Sequence, residues 1–376
     1  MRFRLHSIEQ FRLSAWYWWL SLLVWMVAIP PASAAVLLRV AVEQGVSQLR
    51  VGSSTSAVVK DATGRNLGQI AAMDAFYVLP SDRGVALNKM QSSSLWIEPT
   101  NNGFAYIGDR WYRGKTLVVP DANGVTAVNY VDLEPYLYSV LGSEMSSTWP
   151  QEALKAQAVA ARTYAIYMQK SAKKGIYDLD DTQASQVYSG VASESSSTRA
   201  AVNATAGQVL TYKNQVILAV FHACSGGHTE NVEDVWSQRL PYLRGVRDFD
   251  QNIRGCQWEK MLSGEEINQQ ITGVGNITSL IPSFTPFGSI KRIKFLGDRG
   301  TLELKGDRVR QTFKLRSTRF TIIPEPTGLR LNGRGWGHGL GMSQWGAYNL
   351  AKHGANYLQI LGHYYRGTSL AKIQTR

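Results

Sequence analysis

The spacing of apolar positions changes character near residue 131. From residue 36 to 130 the chain is built of short apolar runs between turn residues. Val36-Leu-Leu-Arg-Val-Ala-Val42 opens the series, and runs at 48–51, 57–60, 75–79, 95–97, 104–107, 116–120 and 124–130 follow. Asp61-Ala-Thr-Gly64, Asn101-Asn-Gly103 and Asp121-Ala-Asn-Gly124 separate some of them. This punctuation predicts strands joined by tight turns. Beyond residue 131 the period lengthens. Asp132 is a good N-cap, Pro135 fits a first helical turn, and Gly142 marks the end of a first helix. A second helix is predicted from Pro150, where Leu154, Ala158, Ala161, Ala165 and Met168 recur on one apolar stripe. Alanines on that stripe allow close packing.

The remainder predicts a polar loop over 176–190 and a short helix over 193–206. A hairpin is expected from 207–212 and 216–221, turning at Lys213-Asn214-Gln215 and delivering residues 222–227 at its end. Residues 263–322 mix a helix at 264–271 with strands at 290–295, 301–304 and 310–314, and two helices close the chain at 344–352 and 356–364. No repeat of solenoid period is visible, and no low-complexity linker separates the two halves, so they are expected to share an interface. The reading is an α+β fold in which a β-rich lobe, 35–130, and a helical or mixed lobe, 131–376, flank a substrate groove.

The N-terminus adds a location. Arg2, Arg4 and Arg12 precede an apolar run from residue 15 to 29, and Ala32-Ser33-Ala34 forms an A-x-A cleavage site. Residues 1–34 therefore read as a secretory signal, with membrane anchoring as the alternative if it stays uncleaved. The expected location is the periplasm or cell wall. The mature chain keeps about +10 of the formal +12 charge, which invites an anionic partner outside the cell. Scattered basic residues without a recognisable module argue against nucleic acid. In an oxidising compartment the two cysteines, Cys224 and Cys256, can pair, a bond worth roughly 3 to 4 kcal/mol by loop entropy; two free thiols are the alternative.

Three blocks carry candidate chemistry. Residues 136–164 place Glu144 in a link between the two helices, in Gly-Ser-Glu144-Met-Ser-Ser-Thr-Trp-Pro150. An acid held rigidly and partly desolvated there has a raised pKa and can serve as a general acid; capping the helix after Pro150 is the structural alternative. Glu134 and Glu152 sit near helix N-termini, which suits capping better than proton donation. The second block is His222-Ala-Cys224-Ser225-Gly226-Gly227-His228-Thr229-Glu230, a strand-end turn with backbone N–H groups free to hold a ligand. It lacks the Gly-x-Ser-x-Gly of a nucleophile elbow; Cys224 with His338 as its base is the weaker catalytic reading. The third is Gly333-Arg-Gly-Trp336-Gly-His338-Gly-Leu-Gly-Met-Ser343-Gln344-Trp345-Gly346. Its glycines suit tight loops, and Ser343 fits an N-cap. It has no Gly-Lys-Ser/Thr and no βαβ context, which counts against a nucleotide.

Together, in this order, the blocks resemble the SpoIID/LytB family of peptidoglycan lytic transglycosylases and so-called amidase enhancers. The resemblance spans roughly residues 36–370, and the third block is the most specific. It implies cleavage between N-acetylmuramic acid and N-acetylglucosamine without water, giving a 1,6-anhydro product. Glu144 would act as acid and then as base. One carboxyl then suffices, whereas ordinary glycosidases use two. Arg162, Gln186, Tyr188, His222, Ser225, His338 and Gln344 are the substrate-binding candidates, with Trp336 and Trp345 offering faces for sugar rings and His338 able to orient Glu144. The family also implies peptide-free glycan strands as the partner, with a cell-wall amidase as a second partner. No cofactor is expected. The leading alternative is a non-catalytic wall-binding amidase enhancer. Some relatives bind a metal through Cys and His six residues apart, just before a Gln-x-Tyr motif that stands here as Gln186-Val-Tyr188. The matching positions are Asp178 and Ala184, so no zinc is expected. Cys224 with His228 is too small a ligand set to make one.

Overall fold

The computed structural model describes residues 36–172, 175–182, 185–250 and 253–373. The signal sequence expected at 1–34 lies outside them, as does Ala184. The fold is α+β. Its first part is two antiparallel β-sheets whose apolar residues face each other. The seven-stranded sheet runs in the order Leu179–Asp180, Leu37–Val46, Gly124–Asp132, Lys115–Asp121, Leu95–Pro99, Ala57–Lys60, Asn66–Ile70, with only the first pair parallel. The six-stranded sheet runs Arg110–Tyr112, Ala105–Ile107, Leu49–Ser53, Ala75–Ser81, Gly84–Leu87, Met90–Ser92. Val40, Val51, Val78, Val85, Leu95 and Val118 are fully buried between the sheets. Burial alternates along Ala57–Lys60 and Gly84–Leu87, the period-two pattern of strands with one wet face.

The strand Gly124–Asp132 feeds directly into helix α1, Leu133–Glu144. Helix α2 is Gln151–Ser171, α3 Ser196–Ala204, α4 Val232–Val235, α5 Gly264–Gln270, α6 Gly306–Thr312, α7 Gln344–Lys352 and α8 Tyr357–Tyr364. Helices α1 and α2 each differ from the sequence expectation in one detail. Helix α1 runs two residues past Gly142, so Glu144 is its last residue and not part of the link. In α2, every residue from Ala153 to Ile166 except Lys155 is buried. The helix is covered on all sides, by α1, α3, α7 and α8, because alanines around its whole circumference let neighbours approach from every direction. Ser195, Ser343 and Asn356 cap α3, α7 and α8 through their side chains. Lys213 and Asn214 turn the hairpin with φ of 49° and 61°. Its second strand is short, Gln215–Val216; the chain then leaves that sheet and pairs again at Phe221–His222, parallel to Met342–Ser343.

Residues 257–334 build a core of their own. One sheet is Gln257–Ser263, Gly328–Arg334, Phe320–Glu325; the other is Ile277–Phe284, Ile290–Gly297, Gly300–Lys305. Leu262, Ile267, Ile293, Phe295, Val309, Phe313 and Leu331 meet between the sheets and α5 and α6. The strand expected at 310–314 is instead the end of α6. Val309 and Phe313, four apart and both buried, set a helical period there.

Candidate active site

Glu144 ends α1, and its half-buried carboxylate is held by two neutral donors. Oε1 accepts the Val187 N–H at 3.1 Å, and Oε2 accepts from Gln344 Nε2 at 3.0 Å. Among the described residues, no cation forms an ion pair with it. Burial raises the carboxyl above its usual value, and the two hydrogen bonds pull it part of the way back. The C-terminal end of a helix, where backbone carbonyls concentrate negative charge, also disfavours an anion. Such a group keeps its proton further toward neutral pH than an ordinary carboxyl and can give it away. The chain just after Glu144 and the start of α7 carry an aromatic wall: Trp149 lies 4.6 Å from Trp345 and 5.0 Å from Tyr348, all partly exposed.

Gln344, expected to bind substrate, thus reaches the carboxylate of Glu144. The other polar candidates sit elsewhere. Gln186 is buried, accepting from Tyr136 Oη at 3.1 Å and donating to the Ala161 carbonyl at 3.2 Å. Tyr188 is buried, donates to Asn129 at 2.8 Å, and stacks with Tyr112 and Tyr136. Both were expected to line the groove; their polar groups are instead consumed inside the protein. They fasten the segment whose backbone, at Val187, holds Glu144. Tyr136 was missed by the sequence reading. Its hydroxyl is pushed well above its usual value, mainly by burial, then by Tyr164, Glu144, Asp180 and Asp181, so it stays protonated. The Gln-x-Tyr spacing pointed to this segment, but to its side chains and not to its backbone.

Arg162 is a correction of the same kind. It is completely buried, and its guanidinium donates to Glu134 at 2.8 and 2.6 Å and to the carbonyls of Val202 and Gln208 at 3.2 Å. Every donor is engaged with the protein, so the side chain clamps α2 to the first turn of α1 and to the residues after α3.

The Ser225–Gly227 turn is the third correction. Its N–H groups are not free for a ligand. The Asp250 carboxylate accepts all three, from Ser225, from Gly226 at 3.0 Å and from Gly227 at 2.7 Å. Ser225 Oγ donates to Asp248 at 2.6 Å, and Tyr364 Oη donates to the same aspartate at 2.7 Å. Asp248 and Asp250 are buried, and Asp250 is raised to about 6, first by desolvation and then by Asp248. The sequence carried one clue: three consecutive N–H groups buried at a strand end need an acceptor. Nothing marked Asp250 as that acceptor. The Cys224–Cys256 disulfide, with Cα atoms 6.1 Å apart, ties this turn to the first strand of the 257–334 body, as the pairing expectation held.

His222 is buried, with Nδ1 3.0 Å from the Leu340 carbonyl, Nε2 without a protein partner, and its pKa lowered to about 4 by desolvation. It is therefore neutral at pH 7. His338 lies 5.4 Å from it, ring to ring; its Nδ1 accepts the Leu340 N–H at 3.0 Å, which leaves the proton on Nε2. Burial lowers it well below its usual value. Neither imidazole contacts Glu144, so His338 does not orient it directly. Trp336 is 47% exposed with the Arg316 guanidinium 4.7 Å over its ring, which leaves one face open.

At the position where some relatives carry a metal ligand, Asp178 is bound to Arg39, through Nη2 at 2.6 Å, Nε at 3.1 Å and the backbone N–H at 2.9 Å. Among the described residues, Cys224, Asp250 and Cys256 are grouped closely enough to suggest a metal site, but the two sulfurs are bonded to each other.

The family model "SpoIID: Stage II sporulation protein" matches residues 121–212, the stretch that carries Glu144, Arg162 and Gln186. Residues 256–341, close to the body with its own core, match a domain of unknown function, DUF8618. Stage II sporulation protein D of Bacillus subtilis is 34% identical over 65% of this chain and 76% of its own length. An uncharacterized protein of Brachyspira hyodysenteriae is 37% identical over 72% and 75%. The amidase enhancer of Bacillus subtilis is 31% identical over 62% of this chain but only 40% of its own length. The chain belongs to the SpoIID/LytB family.

Proposed function

We propose that this protein is an exported peptidoglycan lytic transglycosylase that cleaves N-acetylmuramic acid–N-acetylglucosamine bonds in peptide-free glycan strands. Family membership supports a role at the cell wall, and the state of Glu144 carries the finer reading. Its carboxyl is desolvated and aligned by neutral donors, on a residue that is only partly buried. The protonated carboxyl gives its proton to the glycosidic oxygen as the bond to C1 breaks. The carboxylate so formed takes the proton of the muramoyl C6 hydroxyl as that oxygen attacks C1. The ring closes to the 1,6-anhydro sugar, Glu144 regains its proton, and no water enters. Val187 and Gln344 keep both carboxylate oxygens oriented through the two transfers.

The relative named amidase enhancer supports a second reading, a wall-binding partner of an amidase. A pure binder has no use for a carboxyl held in this state. Mass spectrometry of glycan digests separates the two. Anhydromuramoyl ends released by the protein are expected; reducing ends alone, or no cleavage by active preparations, would overturn the enzymatic reading. No helix among the described residues is long and apolar enough to cross a membrane. The proposed export rests on reading residues 1–34 as a secretory signal.

A further inference from the structure

The 257–334 body carries a groove of about 770 Å³ on the face of its first sheet that points away from the core. The register makes its floor. Glu259 pairs with Asn332 and Asn332 with Thr321; Gln257 pairs with Arg334. Alternation sends Leu262, Leu331 and Phe320 into the core and Glu259, Asn332 and Thr321 outward. Phe284, 53% exposed, closes one side, and Gly226 of the disulfide-tied turn closes another.

The polar groups of this face are unusually free. Arg319, at the base, is consumed: it donates to the carbonyls of Ser225, Phe287 and His228 and to Glu230. Among the described residues, the side chains of Arg334, Gln257, Asn332 and Glu259 have no hydrogen-bond or ion-pair partner. One groove therefore presents an unpaired guanidinium, two amides and a carboxylate beside an apolar ring. A guanidinium takes a carboxylate in a two-pronged fit. Amides bridge hydroxyls and acetamides, and a carboxylate accepts hydroxyl protons. Glu259 within the same groove disfavours a dense polyanion.

We propose that this groove is an accessory binding site for a carboxylate-bearing sugar of a glycan strand, with Arg334 taking the carboxylate and Gln257, Asn332 and Glu259 the hydroxyl and acetamide groups. The choice of glycan rests on the proposed function; the groove does not depend on Glu144. The strand Gly328–Arg334 continues in sequence to Trp336 and the loop that ends at Gln344, the residue that donates to Glu144.

The test is calorimetric titration of the full chain carrying Glu144→Gln with two probes: peptide-free glycan, whose muramoyl units expose lactyl carboxylates, and an N-acetylglucosamine oligomer without them. Adding Arg334→Ala should weaken the first by about tenfold or more, the scale of one charge-assisted bond, and leave the second unchanged. Arg334→Lys should fall between, and the salt dependence of binding should shrink with the charge. Asn332→Ala should weaken both probes. Equal affinity of Arg334→Ala and its parent for peptide-free glycan, at unchanged melting temperature, would overturn the site. So would a stem peptide competing more strongly than the glycan. In the Glu144-intact protein, Arg334→Ala should retain kcat on short fragments. Anhydro product from Glu144→Gln would sink the proposed reaction without touching this result.

Discussion

The two ends of α1 carry the same residue type in opposite circumstances. Glu134, in the first turn, meets the Arg162 guanidinium at 2.8 and 2.6 Å and the Gly207 N–H at 3.0 Å, at the helix end that favours negative charge. Glu144, ten residues on, meets one amide side chain and one backbone N–H, at the end that opposes it. One carboxylate has its charge matched and fixes three segments together. The other is left without a counter-ion and half-open. Residue type does not assign the role; the charge and solvent around each carboxyl do. Asp250 gives a third case. It too is raised, to about 6, yet it is closed off by three N–H groups and serves the turn. A perturbed carboxyl becomes a candidate for catalysis only where a substrate can reach it.

The largest effect expected from this contrast is on activity. Glu144→Gln should lower glycan cleavage by about 10² to 10⁴, the scale of a positioned acid, with the circular dichroism spectrum and melting cooperativity preserved. Wild-type release of anhydro-sugars by this variant would erase the distinction between the two ends. Glu134→Gln should do the reverse. It strands a fully buried guanidinium, and breaking a buried pair from one side costs about 3–5 kcal/mol. Urea unfolding should show that loss, while the folded fraction keeps its turnover per molecule. A Glu134→Gln protein of unchanged stability would mean that the Arg162 clamp contributes nothing.

How far this contrast was legible beforehand can be judged residue by residue. Glu144 stood out because a lone acid near a helix end, next to a buried alanine-rich helix, implies desolvation. The cap at Ser343 and the disulfide followed from local chemistry. Arg162 misled because an arginine within an apolar stripe reads equally well as a groove residue or an internal clamp. Only the fold shows that Glu134 and the carbonyls of Ala158, Val202 and Gln208 surround it. Gln186 and Tyr188 were recognised as important in the wrong way: their side chains turn inward and their neighbour's N–H does the contact, a distinction set by backbone direction. Asp250 closes a turn 25 residues away across a loop without periodicity. Within 257–334 the helix at 264–271 and the strands at 290–295 and 301–304 were read, but Ile277–Phe284 was not, because it alternates weakly and leaves several apolar residues exposed.

A smaller effect tests the donors at Glu144. Gln344→Leu removes a hydrogen bond that favours the ionised form. The carboxyl should then hold its proton to still higher pH. A general acid works protonated, so kcat/KM falls as pH rises through its pKa. That falling limb should move to higher pH in Gln344→Leu, even if the maximum drops because the carboxyl is less well aligned. A limb that stays in place would show that Gln344 does not sense the charge on Glu144.

The smallest effect is on stability, and its sign is the most discriminating. Because folding raises the Glu144 carboxyl above its ordinary value, taken as 4.5, the folded protein keeps a proton that the unfolded chain has already released. Stability therefore falls as pH rises from that ordinary value toward the folded one, and the deficit persists at pH 7. Glutamine carries no proton to lose. Its carbonyl can accept the Val187 N–H, and Gln344 can turn its amide so that its own oxygen accepts from the new NH₂ group. Glu144→Gln should therefore be more stable than the parent at pH 7, with the gap closing as pH falls below the ordinary carboxyl value. Glu134→Gln should be less stable at pH 7, because it leaves the Arg162 guanidinium without its carboxylate partner. Melting curves of both variants at several pH values measure the two signs directly. A Glu144→Gln protein less stable than its parent at pH 7 would mean that the site stabilises the anion, which would place Glu144 with Glu134 as a structural carboxylate.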